Sequence, residues 1–531
     1  MSGGLWVSLL IVFMASACTM VLELVAGRIL APFIGVSLYT WTSIIGVCLA
    51  GISAGNFSGG MLADRFGSRR TLGIILLAGG VFSLIILPLA AMNLTTWLPR
   101  QVMPGLDQGF WLITRIVILT ALLFLPPTLV LGMVSPIVIK LALTDLRQTG
   151  SIAGKIYAFS TVGSIFGTFL TGFYLVSLFG TRTIVLGVSV ILIGMAFVFG
   201  DLVGRRKGTA EVATATAVIV ALMVLWINPA YAFTIERPNA LDSGCYKETN
   251  YFCIKTVDVP PDVDRHDVRE LVLDHLIHSY NSLSDPTYLK YGYIKVYADM
   301  IEYVAQKYPK YGAFFVGGGG YTLPRQMETL RPDARIVVAE IDPGVTATNL
   351  ERLGLHPDTH IVTYNADARQ VVEQFQGQEK FDLVFGDAFN DLQIPYHLTT
   401  KEFDQEVRNM LKDDGLYLAL VIDKLHTGKF IPAYTRTIAE VFPYVYVLNE
   451  APSWTSDAPN TWVVAASASP IDMNRLNAIT TGQGTNGGPL VKVMPQDVMQ
   501  DWLRTSESVV LTDDYSPADN LVAPLFVDRS F

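Results

Sequence analysis

Cysteine and charge are both scarce in this chain. Only 4 of its 531 residues are cysteine, and 16% are charged. No set of Cys, His, Asp or Glu stands at metal-ligand spacing, so no metal is expected. A Walker-type phosphate loop is missing as well, which removes the P-loop nucleotide hydrolases. Acid is nearly absent from the first half. Residues 1–232 hold six acidic side chains (Glu23, Asp64, Asp107, Asp145, Asp201, Glu211) against thirteen Lys and Arg, a net of +7. The whole chain carries −9, so the remainder carries −16. A domain that acidic is a poor partner for nucleic acid, which needs basic surface.

What fills the first half is apolar sequence. A membrane span needs about 20 apolar residues. Seven such stretches are read near Leu5–Gly27, Thr40–Ala63, Leu72–Met92, Trp111–Leu143, Ile156–Leu178, Thr183–Val203 and Val212–Phe233. The first is too long for a cleaved signal peptide and acquires charge too late. The fourth is over-long and carries Pro126-Pro127, so a helix kinked there, running on into an interfacial segment, is expected. Lys and Arg cluster after spans two (Arg65, Arg69, Arg70), four (Lys140, Arg147, Lys155) and six (Arg205, Arg206, Lys207). The positive-inside rule then puts the N-terminus in the cytoplasm. Odd parity puts the second half outside, in the periplasm of a bacterial inner membrane, with lipid as a partner. Glu23 and Arg115 fall within spans, where charges are functional candidates.

The second half alternates strand and helix signals from Tyr251 to Ala466. Strands are read at Tyr251–Val257, Leu271–Ser279, Ala313–Val316, Arg335–Ile341, His360–Tyr364, Phe381–Gly386, Leu416–Ile422, Tyr444–Leu448 and Trp462–Ala466. A long helical pattern covers Pro286–Tyr308, and shorter ones separate the later strands. Such alternation predicts a Rossmann-like parallel α/β sheet with ligands beyond the strands' carboxyl ends. The expected domains are a transmembrane helical domain at 1–233, a small β region at 234–285 and an α/β domain at 286–531. Cys245 and Cys253 lie eight residues apart in a hairpin-like stretch, readable as a disulfide or as two buried thiols.

Four successive strand ends carry the chemistry. The first opens into Gly317-Gly318-Gly319-Gly320. The second ends Glu340-Ile341-Asp342, the third leads to Asp367-Ala368, and the fourth ends Asp387-Ala388-Phe389-Asn390-Asp391. Bare glycine backbone admits close approach of a ligand. A carboxylate after the second strand commonly holds a ribose diol. Together they point to an adenosine-type ligand.

That order resembles the S-adenosylmethionine-dependent transferase fold and, within it, the spermidine synthase family. Residues 387–403, from Asp387-Ala388-Phe389 through Ile394-Pro395-Tyr396-His397-Leu398 to Phe403, look like its membrane-fused branch. Leu511–Pro517 and Leu22-Glu23-Leu24 fit that branch too. Gly60–Arg70 separately resembles the loop between spans two and three of major-facilitator transporters. The family resemblance implies decarboxylated S-adenosylmethionine, or S-adenosylmethionine, as co-substrate and a small amine as acceptor. It implies cofactor contacts from Gly317, Gly318, Gly319, Glu340, Asp342, Asp367 and Ala368. Asp387 would be the base, with His278 and Tyr288 beside it, while Asp391 and His397 would meet the amine. Dimers are common in that family. The chain departs from the pattern at His278, where the family has Gln, at Gln326, at Asn390, and where Tyr321-Thr322 follows the glycines. Another S-adenosyl-dependent transferase, or a non-catalytic binding or transport module, are the competing expectations.

Overall fold

A computed structural model describes the chain except for residues 1, 35–37, 92–107, 144–145, 177–178, 180, 203–244, 261–263, 265, 275, 379, 390–393, 451–453, 480–488 and 528–531. The chain divides into two compact units, Met1–Pro238 and Asn239–Phe531.

The first unit is helical: α1 (Ser2–Ile34), α2 (Leu38–Phe66), α3 (Arg69–Ala91), α4 (Gln108–Gly132), α5 (Val134–Ala142), α6 (Thr149–Leu170) and α7 (Thr181–Phe199). Six stretches are long and apolar enough to cross a membrane, among the described residues: Leu5–Ala31, Leu38–Phe66, Arg69–Ala90, Ile113–Ala142, Thr149–Leu175 and Thr181–Phe199. The seventh expected span, Val212–Phe233, lies outside the described residues. Helix contacts are made through small residues. Gly51, Gly55 and Gly59 of α2 face Thr128, Leu129 and Met133, and a Cβ on any of them would collide there. Gly163 and Gly167 of α6 meet the backbone of Phe13 and Ala17 in α1 in the same way. The break expected at Pro126-Pro127 falls instead at Met133, between α4 and α5. Pro136 explains it: its ring excludes the carbonyl four residues earlier, that of Gly132, where α4 stops.

The second unit has two sheets. Strands β1 (Lys247–Glu248), β2 (Cys253–Asp258), β3 (Val268–Leu273) and β4 (Leu276–Ser282) form an antiparallel four-stranded sheet. Leu271–Ser279, expected as one strand, is a hairpin. Asp274 turns at φ 55, a left-handed conformation that Asp tolerates better than most residues, and its carboxylate accepts from the Cys253 N–H (3.0 Å). The helix expected from Pro286 begins only at Gly292, as α8 (Gly292–Ala305). Asp285 accepts from the Thr287 N–H (2.9 Å) and hydroxyl (2.6 Å), which locks 285–288 as a turn.

The larger sheet contains β5 (Gly312–Val316), β6 (Arg335–Ala339), β7 (Val362–Tyr364), β8 (Phe381–Gly386), β9 (Leu411–Asp423), β10 (Tyr444–Asn449), β11 (Asn460–Ser467) and β12 (Lys492–Val493). Its order is β12-β10-β11-β9-β8-β5-β6-β7. Strands β5 to β9 pair in parallel, and β10, β11 and β12 close one edge antiparallel. Helices α9 (Thr322–Leu330), α10 (Pro343–Arg352), α11 (Ala368–Gln374), α12 (Lys401–Met410) and α13 (Phe430–Ala439) connect them. The central strands are apolar along both faces because both faces are covered. Phe315 stacks on Phe385 at 4.5 Å between ring centroids, and Phe314 meets Phe381 and Phe375 edge-on. Each such ring contributes roughly 1.5–3 kcal/mol by leaving water. From β5 the chain steps to β6 and β7 on one side, then returns to β8 on the other. The strand order reverses between β5 and β8, and ligands of open α/β sheets bind at that crevice.

Candidate active site

The turn after β5 forms the floor of the crevice. Gly317 (φ 96) and Gly319 (φ 48) take conformations that side chains avoid. A Cβ at Gly317 would also strike the Asp387 backbone, while one at Gly319 would meet nothing within 4 Å. The Asp387 N–H donates to the Val316 carbonyl (2.9 Å), so the ends of β5 and β8 are tied together. Two amides brace the turn from outside. Asn281 of β4 donates to the Gly320 carbonyl (2.5 Å), and Asn349 of α10 donates to that of Gly319 (2.7 Å).

Glu340 follows β6 and is 6% exposed. Its Oε2 accepts from the N–H groups of Gly318 (2.9 Å) and Gly319 (3.2 Å), and its Oε1 from Asp342 N–H (2.9 Å). Burial pushes its carboxyl up, and these three donors pull it back toward the ionised form. Asp342 is placed differently from the expectation. It caps α10, accepting from Gly344 N–H (2.8 Å) and from the Thr249 hydroxyl (2.5 Å), and is 1% exposed. Both of its oxygens face the fold.

Asp387 follows β8 and faces the cleft. Burial pushes its carboxyl up to about 7, partly opposed by the hydrogen bond from Tyr293. The same cleft, ≈ 480 Å³ and partly open to solvent, is lined by Gly317 to Gly320, by His278 and Ser279 of β4, and by Tyr293 and Tyr297 of α8. Tyr293 and Tyr297 lie one turn apart, with ring centroids 5.6 Å apart, and Tyr297 packs edge-on against Phe385. Ser279 Oγ, 2% exposed, has no hydrogen-bond partner among the described residues. A bare backbone turn and a buried hydroxyl on one cleft fit a ligand with polar groups such as a nucleoside.

Among the described residues, Glu340, Asp342, Tyr288, Asp367, Ala368 and His397 are expected residues that do not line the cleft. Tyr288 does not line the cleft; its hydroxyl donates to Asp264 (2.8 Å) and its ring stacks on His266. Asp367 caps α11 through Arg369 N–H (2.9 Å) and meets His397 Nε2 (2.8 Å), beside the buried Ala368. His397 is thereby engaged by a carboxylate. Asp391 lies outside the described residues. Tyr293, Tyr297, Asn281 and Asn349 went unread in the sequence. The only signal was the Tyr pair at positions i and i+4 of a helical stretch, which looks the same as core packing.

No protein-family model matches the chain. It is similar to a polyamine aminopropyltransferase of Vibrio vulnificus (strain CMCP6), 31% identical over 133 residues, covering 25% of this chain and 43% of the relative. A probable polyamine aminopropyl transferase of Bifidobacterium longum (strain NCC 2705) is 28% identical over 152 residues, covering 28% and 31%. The chain thus spans less than half the length of these curated relatives. Among solved structures it is similar to a probable spermidine synthase from Corynebacterium glutamicum ATCC 13032 (18% identity, 50% of this chain and 94% of that one, TM-score 0.41). It is also similar to human methyltransferase-like protein 13 in complex with SAH (16% identity, 44% and 100%, TM-score 0.32).

Proposed function

We propose that the Asn239–Phe531 unit transfers an aminopropyl group from decarboxylated S-adenosylmethionine to a small amine. The observation carrying this reading is Asp387 at the switch point of the sheet, opposite the Gly317–Gly320 turn. The similarity to two aminopropyltransferases supports it. Gly317, Gly318 and Gly319 would lie against the co-substrate, and Glu340 would take its ribose hydroxyls on lone pairs that the backbone leaves open.

The chemistry needs an unprotonated amine, and an alkyl ammonium titrates near 10.4. Passing its proton to an ordinary carboxylate near 3.9 costs about 9 kcal/mol, whereas a carboxylate near 7 lowers the cost to about 5 kcal/mol. The burial of Asp387 therefore favours the base. The amine lone pair then forms the new C–N bond at the activated methylene. The C–S bond breaks, and sulfur keeps the electron pair as a neutral thioether. Tyr293 and Tyr297 would wall the aliphatic chain, and Tyr293 would aim the carboxylate. The apolar helices would anchor the chain in a membrane. The Cys245–Cys253 disulfide and the Lys and Arg distribution support an extracytoplasmic position for the catalytic unit.

The test is product identity. The purified full chain is incubated with decarboxylated S-adenosylmethionine and a panel of amines beginning with putrescine. Methylthioadenosine is the expected product. Its absence across the panel rejects the reading, and S-adenosylhomocysteine formed from S-adenosylmethionine would assign methyl transfer instead.

A further inference from the structure

The loop that the disulfide closes connects to the glycine turn of the cleft through a run of hydrogen bonds. Cys245 and Cys253 are joined, closing a loop whose ends stand eight residues apart. Thr249 sits at its turn. A hydroxyl has one donor and two acceptor positions. The acceptor positions of Thr249 Oγ1 take the N–H groups of Tyr251 (3.1 Å) and Phe252 (3.0 Å). Its proton faces Asp342 Oδ2 at 2.5 Å, with the Phe252 carbonyl farther off at 3.3 Å. The Asp342 N–H donates to Glu340 Oε1 (2.9 Å), and Glu340 Oε2 accepts from Gly318 and Gly319.

The loop is also seated against α10. Gly344 has no Cβ because Thr249 occupies that space. The Tyr246 hydroxyl donates to Glu351 (2.7 Å), and Lys247 pairs with the same carboxylate at 3.9 Å. The Gly344 N–H holds one oxygen of Asp342 (2.8 Å) and Thr249 the other, and the Asp342 N–H in turn meets Glu340.

We infer that Thr249, held by the Cys245–Cys253 clasp, is a positioning residue for Glu340 and so sets how tightly the cleft holds a ribose. This rests on the reading of Glu340 as the ribose acceptor. The clasp keeps its form only where thiols are oxidised, so recognition of the nucleoside is tuned to an oxidising compartment.

Calorimetric titration of the detergent-solubilised full chain with 5′-methylthioadenosine and with its 2′-deoxy counterpart tests this. Thr249→Val is expected to weaken methylthioadenosine about tenfold and to shrink the preference over the deoxy probe. Thr249→Ser keeps the hydroxyl and stays within about twofold of wild type. The Cys245→Ser/Cys253→Ser pair loosens binding several-fold. Combined with Thr249→Val it adds nothing beyond the larger single effect, because both act along one path. An unchanged preference in Thr249→Val overturns the inference. Glu340→Gln separates the two possible failures. If it abolishes the preference while Thr249→Val does not, the strut alone is wrong. If neither changes the preference, or wild type binds neither probe, the ribose reading falls with it.

Discussion

Strands β6 and β8 flank β5 on opposite sides, and each ends in a carboxylate: Asp387 lines the cleft, and Glu340, 6% exposed, holds the glycine turn that floors it. The two ends are built differently. Glu340 is met by three backbone N–H groups. Asp387 is met by a single tyrosine hydroxyl; burial is the largest influence on both carboxyls and raises both, but three donors oppose it at Glu340 and one at Asp387. Fixed backbone donors oppose that rise and aim the carboxylate oxygens. Burial with few donors raises proton affinity and gives a base. Under the proposed function, the contrast would divide labour between a side that grips the ribose and a side that takes a proton.

The sharpest way to break that division is Asp387→Asn. Turnover should fall about 10²- to 10⁴-fold, while affinity for methylthioadenosine changes little. Stability should move the other way. A carboxyl raised from 3.8 to about 7 binds its proton more tightly in the folded state, so its charge weighs on the fold progressively from pH 3.8 and fully above pH 7. At pH 8 the variant should be more stable by roughly 2–4 kcal/mol, read from chemical denaturation. At pH 4 the advantage should vanish. A variant that loses activity and is no more stable at pH 8 would mean that burial is not what raises Asp387.

The gripping side predicts a smaller and different loss. Glu340→Gln replaces an anion facing three N–H groups with a neutral amide. Methylthioadenosine should bind about 10- to 100-fold more weakly, and saturated turnover should change far less. Equal losses in both quantities would erase the distinction between the two strand ends.

How much of this was legible beforehand differs along the same lines. The glycine turn, Glu340 and Asp387 were readable because strand ends in alternating β/α sequence have a fixed meaning: the sheet brings them to one edge whatever the loops do. Asp342 and Tyr288 were misplaced for a local reason. Asp342 precedes Pro343 and Gly344, the ordinary setting of a helix cap, and the cap took the carboxylate. Tyr288 follows the Asp285 turn, which delays the expected helix to Gly292, and its ring stacks on His266. Tyr293 and Tyr297 were invisible because sequence spacing shows which residues share a helix face without showing what that face meets. In the helical unit, the break moved from Pro126 to Met133 because Pro136, rather than the proline pair, blocks the carbonyl of a helix end.

The base side can be sharpened by its pH profile. Asp387 must be ionised to accept a proton, so kcat/KM should rise tenfold per pH unit up to about 7 and then level off. Tyr293 lowers that value by donating to the carboxylate. Tyr293→Phe should therefore shift the acidic limb upward by about half to one unit, leaving its slope intact. An unmoved limb would mean that the phenol contributes shape rather than a proton.

The smallest expected effect lies at the third strand end. Asp367 is held below the usual carboxylate range, first by His397 and then by the N–H groups of Arg369 and Gln370. A depressed folded value stabilises above the unfolded value and is lost as pH falls through the folded one. Asp367→Asn should therefore cost about 1 kcal/mol in denaturation at pH 6, and the difference should fade below pH 4. Binding of methylthioadenosine should stay within about threefold of wild type, because the carboxylate already serves a helix and a histidine. A tenfold loss of binding would show that Asp367 leaves His397 to meet the nucleoside, which would give the crevice a third working carboxylate.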